Sequence, residues 1–200
     1  MSDPIDFHFD FSSPYGYLMS ERIDALAARF ERKVRWKPML LGVVYKEIGS
    51  QPLPAIPMKG PYSLHDIQRS ARHMGIPLEI PDPFPVATQH AARLYYWLHG
   101  QDCPLARRFA HEVFRAYFVE EQDISRKETV LSLATGFGVD ETAAASALED
   151  DAVKQRLKDA CAEAIAAGVF GSPFVVIDGE PFWGVDRLEQ IERWLTEGGF

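Results

Sequence analysis

The sequence predicts an α/β fold, with a βαβ unit at its start, a ββα unit at its end and an all-helical block between them. Three observations carry this expectation. Residues 5–11, Ile-Asp-Phe-His-Phe-Asp-Phe, alternate apolar and polar with the period of a half-buried strand. Residues 39–166 show helical patterning and no convincing strand. Residues 174–177 then form a short apolar, β-branched run, followed by the turn signal Asp178-Gly179 and a brief partner strand at 181–183.

Taken in order, the first strand puts Ile5, Phe7, Phe9 and Phe11 on one face. Ser12-Ser13-Pro14 makes the turn into a helix over about 15–31. Ser13 suits the N-cap, and Pro14 suits the first helical position, where a missing N–H costs nothing. A second strand at 34–38 completes a parallel βαβ unit. Helical segments follow near 41–48, 63–74, 88–99, 104–119, 127–135, 141–146 and 151–167, the last capped by Asp150 or Asp151 and ended by Gly168. The connector 49–61 is rich in Pro and Gly, a composition that marks a functional or mobile loop. A final helix spans 186–197, with Asp186 and Glu189 in capping-box spacing. Reassembled, βαβ plus ββα is the thioredoxin arrangement. Residues 1–40 and 167–200 would make the thioredoxin-like domain and residues 41–166 a helical insertion domain.

Bulk properties narrow the function. The 200 residues are 46% hydrophobic and 25% charged, an ordinary balance for a globular chain. A net charge of −8 argues against a nucleic-acid phosphate binder, while leaving room for a local pocket for a small anion. No apolar stretch reaches the roughly 18 residues of a membrane span, and the N-terminus lacks the basic start and apolar run of a signal peptide. Cys103 and Cys161, without CxxC spacing, read as free thiols in a reducing, cytoplasmic setting. The six histidines show no paired ligand spacing and are expected on the surface, so no metal site is expected. Thr135-Gly136-Phe137-Gly138 follows no strand, which speaks against a dinucleotide fingerprint.

Three short constellations could carry chemistry. The first is Ser13-Pro14-Tyr15-Gly16, at the strand-to-helix turn where thioredoxin-like enzymes hold CxxC. With Ser and Gly in place of both sulfurs, dithiol exchange cannot occur there. A helix N-terminus and a hydroxyl remain, features that stabilise a thiolate brought in by a ligand; Ser13 read alone is equally an ordinary N-cap. The second is Ser172-Pro173 at the start of the third strand, either a tolerated strand-initiating proline or a cis-proline that turns the Ser172 backbone toward a peptide ligand. The third is Trp183-Gly184-Val185-Asp186, read either as core, turn and helix cap, or as a place where a ligand approaches the backbone and a charged end is bound.

Together these residues resemble the 2-hydroxychromene-2-carboxylate isomerase family, grouped with kappa-class glutathione transferases in the DsbA-like thioredoxin superfamily. The resemblance rests on FDFSSPYGYL at 9–18, KGPYSLHDIQRSARHMGIP at 59–77 and GVFGSPFVVIDGEPFWGVDRL at 168–188, and runs through essentially the whole chain. It implies that Ser13 is the catalytic serine, that Ser172 pairs its backbone with glutathione, and that Trp183, Gly184, Val185 and Asp186 form the remaining glutathione-contacting stretch. Val185 stands where the family often has asparagine. Lys59, beside the Pro-rich loop, would pair with a carboxylate of glutathione or substrate. Phe84 stands where characterised relatives have a substrate-contacting tyrosine, so substrate choice need not be the same.

The implied cofactor is glutathione, and the implied reaction is isomerisation of a small aromatic carboxylate by reversible thiolate addition, bond rotation and elimination, in a homodimer. Two other readings stay open: a kappa-like transferase or peroxidase acting on another electrophile, and a non-catalytic ligand-binding protein on the same fold.

Overall fold

The computed structural model describes residues 3–200. Strand β1, Ile5–Phe9, pairs in parallel with β2, Val34–Pro38, which sets Phe7 opposite Trp36. They are joined by α1, Pro14–Ala28. This helix stops short of the expected end, and Glu31 takes a positive φ of 54° in the turn toward β2. Strand β3, Phe174–Ile177, lies antiparallel to β1, and β4, Glu180–Trp183, lies antiparallel to β3, giving the order β2-β1-β3-β4.

Gly184 N–H donates to the Pro173 carbonyl at 3.1 Å and extends the β3–β4 ladder. Hydrogen-bonded pairs recur at every second residue of an antiparallel ladder, so Pro181 and Trp183 turn their backbone nitrogens to the outer edge.

β1 has a neighbouring strand on each side. Ile5, Phe7 and Phe9 are fully buried as the alternation predicts, but His8 on the opposite face is buried too. The expectation of surface histidines therefore fails at His8, which is flanked in register by Lys37 of β2 and the buried Phe174 of β3.

Between β2 and β3 the chain forms α2 (Leu41–Ile48), a 3-10 turn (Leu53–Ala55), α3 (Lys59–Met74), α4 (Gln89–His99), α5 (Cys103–Phe118), α6 (Lys127–Thr135), α7 (Glu141–Glu149) and α8 (Asp151–Ala166). α3 begins inside the segment that reads as a loop. Pro61 sits in its first turn, where no N–H is required, and Gly60 lets the helix press on the Pro54 carbonyl, which a Cβ would strike. α9, Leu188–Glu197, follows a 3-10 turn at Val185–Arg187. The expected capping box is not formed. Asp186 lies within that turn, caps nothing, and pairs with Arg187 at 3.3 Å.

Sheet and helices share one aromatic core. Phe11 meets Phe114 of α5 at 5.2 Å between ring centres, and Tyr17 of α1 stacks on Phe118 at 5.5 Å. The hydroxyls of Tyr95 and Tyr96 donate to the carbonyls of Trp36 and Pro38 at 3.0 and 2.8 Å, tying α4 to the end of β2. Among the described residues no helix is long and apolar enough to cross a membrane, and no cluster of His, Cys, Asp and Glu could hold a metal ion.

Candidate active site

β1 leads into Asp10-Phe11-Ser12-Ser13, where the backbone turns into α1. Ser13 is extended (φ −89°, ψ 112°), as an N-cap residue must be. Its Oγ accepts from the Gly16 N–H at 3.1 Å, while its own proton is donated to the Ser172 carbonyl at 3.0 Å. Pro14 has no N–H, and the Tyr15 N–H, second in the helix, has no intrahelical carbonyl to reach. A hydroxyl, a first-turn N–H and the positive end of a 15-residue helix thus converge at one point.

Ser172 arrives from the other end of the chain. The Ser172–Pro173 peptide is cis, and the Ser172 Oγ accepts from the Asp10 N–H at 3.1 Å. Gly16 makes this approach feasible, since a Cβ there would lie 2.9 Å from the Ser172 Oγ. The Ser172 hydroxyl therefore stands against the residue that would carry the second cysteine of a CxxC pair.

Beside this junction opens a cavity of about 600 Å³, within the range of about 300–1,000 Å³ usual for small-molecule sites. Its wall is largely apolar, with Leu41, Val43, Leu53, Ile67, Phe84 and Val86, and Ser13 and Ser172 open onto it. Among the described residues that line it, Asp10 supplies the one carboxyl and Lys46 the one amine.

Asp10 is 4% exposed. Its Oδ1 accepts from the Ser12 N–H (2.8 Å), the Ser12 hydroxyl (2.9 Å) and the Thr88 hydroxyl (2.8 Å), and its Oδ2 accepts from the Leu41 N–H (2.7 Å). Burial pushes this carboxyl above the ordinary range, against the pull of those donors, which favour the anion. Tyr15, also on the wall, donates its hydroxyl to Asp66 at 2.6 Å. Burial, then that carboxylate, holds the Tyr15 phenol well above its usual range, so it stays protonated.

Ser13, Ser172 and Phe84 are brought together around the cavity. Lys59 is not: it opens α3, exposed and outside the lining. Trp183, Gly184, Val185 and Asp186 also lie outside it, joined to the junction through the Gly184–Pro173 bond. Trp183 is half exposed and packs on Phe170 at 4.8 Å, and Val185 is buried. Neither cysteine stands at the start of α1: Cys103 begins α5, exposed, and Cys161 is buried in α8, where its sulfur accepts from the Leu40 N–H at 3.4 Å.

Sequence reasoning missed Asp10, Tyr15, Lys46 and Thr88. Asp10 did carry a signal, since Asp-x-Ser is an Asx-turn spacing in which the carboxylate bonds the backbone two residues on. Nothing local marks Lys46, the only cation of α2, as a wall residue.

A model of the DSBA-like thioredoxin domain family matches residues 4–196. The chain is 28% identical over 200 residues to a 2-hydroxychromene-2-carboxylate isomerase of Sphingobium xenophagum, covering 98% of this chain and 100% of that one. It is 25% identical over 205 residues to glutathione S-transferase kappa 1 of Homo sapiens, covering 96% and 91%. A solved structure of a 2-hydroxychromene-2-carboxylate isomerase superposes with a TM-score of 0.86 at 28% identity, over 96% of this chain and 94% of that chain.

Proposed function

The chain belongs to the DSBA-like thioredoxin domain family, and on that premise we propose that it is a glutathione-dependent isomerase of a 2-hydroxychromene-2-carboxylate-like aromatic acid. The observation that carries this reading is the Ser13 hydroxyl, at the tip of α1 beside the Ser172 carbonyl, opening onto an apolar cavity with no cysteine of the chain in reach of the tip.

The donor set fits glutathione. A hydroxyl, a free first-turn N–H and a helix dipole suit a sulfur anion, and the backbone of Ser172 next to a cis peptide suits an extended tripeptide. Ser13 would hold the thiol and Ser172 the peptide backbone. Trp183, Gly184, Val185 and Asp186 would receive the γ-glutamyl end, and Lys59 a carboxylate at the rim. When bound, glutathione supplies the thiolate that adds to the substrate's conjugated system and leaves again once the bond has rotated. Ser13 must redirect its proton from the Ser172 carbonyl toward the sulfur. The apolar wall with Phe84 takes the aromatic ring and excludes water, and Lys46 faces the substrate's carboxylate. The reading carries with it a homodimer in a reducing cytoplasm, where Cys103 and Cys161 remain thiols.

Similarity to glutathione S-transferase kappa 1 favours one second reading, transfer of glutathione to another electrophile. Calorimetry with glutathione tests the shared premise, and absence of binding by the folded protein defeats both readings. A chromene carboxylate assayed beside a panel of aromatic electrophiles then separates them: conversion without loss of glutathione supports the isomerase, and consumption of glutathione supports the transferase.

A further inference from the structure

We propose that Asp10 is the positioning residue of this site, a single carboxylate that fixes the Ser12–Ser13 turn, the start of α2 and the start of α4 relative to one another. The proposal rests on the glutathione reading above. Four donors converge on the Asp10 side chain from three separate segments: two from Ser12, one from Leu41 and one from Thr88. Leu41 is the first residue of α2, whose N-cap residue, Leu40, has no side-chain oxygen, so the carboxylate of Asp10 caps that helix from across the cavity edge. Thr88 immediately precedes α4. The backbone of the same residue completes the junction, its carbonyl accepting from the Ser13 N–H at 2.9 Å and its N–H donating to the Ser172 Oγ at 3.1 Å.

Asp10 therefore touches both serines assigned to glutathione and two of the elements that wall the substrate. No lysine or arginine is paired with it among the described residues. The titratable groups that face it are Tyr45 on α2, Tyr117 on α5 and Cys161 on α8, each held above its ordinary pKa and so protonated near neutral pH. Neutral dipoles alone surround this carboxyl, against the burial that raises its pKa, and they can hold it only while all three segments stay in place.

This role makes a prediction opposite in sign to that of a bystander charge. An anion beside the cavity disfavours a second anion, so its removal by itself would lower the pKa of a bound thiol. Loss of the clamp would displace the Ser13 hydroxyl and the tip of α1 and raise that pKa instead.

The experiment titrates the thiolate absorbance of glutathione bound to the wild-type protein, to Asp10→Asn and to Thr88→Val, with binding followed by calorimetry. Asp10→Asn should raise the bound thiol's pKa by about one pH unit, a tenfold change in the thiolate-to-thiol ratio. Thr88→Val, which releases only α4, should give a smaller rise and keeps the test open if Asp10→Asn does not fold. A fall in the bound thiol's pKa, or no change in a variant that folds and binds, overturns the proposal. Absence of glutathione binding by the wild-type protein is a separate result, and removes the reading on which the proposal stands.

Discussion

The Ser13 hydroxyl donates to the Ser172 carbonyl at 3.0 Å, joining residues 159 positions apart. The same oxygen accepts from the Gly16 N–H, so one side chain caps α1 and links it to the cis peptide. Ser13→Ala removes both interactions. We expect a loss of about 1 kcal/mol in stability, the usual cost of an N-cap, measured by urea denaturation. Turnover should fall by about 10²–10³-fold, as when one donor to a developing negative charge is deleted. A variant with unchanged turnover takes Ser13 out of the chemistry.

Gly16→Ala tests the close approach. In an exposed helix the change would stabilise by about 1 kcal/mol, because alanine is the better helix former. Here the new methyl meets the Ser172 Oγ at 2.9 Å and pushes it away from the Asp10 N–H. We expect net destabilisation and weaker glutathione binding. The double variant Gly16→Ala/Ser172→Ala should recover much of the lost stability, a positive coupling that a thermal-melt double-mutant cycle detects.

Among the described residues, Lys46 is the one cation on the cavity wall. Lys46→Met keeps the aliphatic stem and removes the charge. For an aromatic electrophile bearing a carboxylate, KM should rise about three- to tenfold, the scale of a partly solvated ion pair of roughly 1 kcal/mol. For an uncharged analogue KM should stay put. Equal effects on both substrates would mean that Lys46 does not read the anion.

His8 gives the protein an acid-side dependence. Burial first, then the nearby Lys37, lowers its pKa from 6.5 to about 4. The folded state thus favours the neutral ring, and the unfolded state takes up the proton first as pH falls. The contribution is present in full above about pH 6.5, declines as pH drops toward 4, and amounts to about 3 kcal/mol in all. Asp6 and Arg35 share this surroundings, so the comparison must be made within one series. His8→Phe should flatten the stability–pH curve between those limits, as read from denaturation midpoints at stepped pH.

Much of the architecture was legible because its signals are local. The alternation of Ile5, Phe7 and Phe9, the Asp178-Gly179 turn and the Ser13-Pro14 start of α1 each arise within a few residues. Signals failed where a distant partner decides the outcome. Gly60 and Pro61 look like loop residues until the Pro54 carbonyl is seen against α3. His8 looks like a surface residue until β3 pairs beside its strand and sets Phe174 next to it. Asp10 looks like one more outward polar position, because the donors on Leu41 and Thr88 are 31 and 78 residues away. The serine junction was legible from its two motifs, whereas the cavity wall, assembled from several helices and turns, was not.

The outward-facing backbone of β4 has a bearing on solubility. Of its two residues whose nitrogens point away from the sheet, Pro181 has no hydrogen to give, which leaves Trp183 as the sole donor along that border. A strand arriving from another molecule finds too few partners to zip up, and Glu180 brings a negative charge to the same short stretch. The sheet thus ends at β4 by construction, and edge-on pairing between copies of the chain is disfavoured along that border.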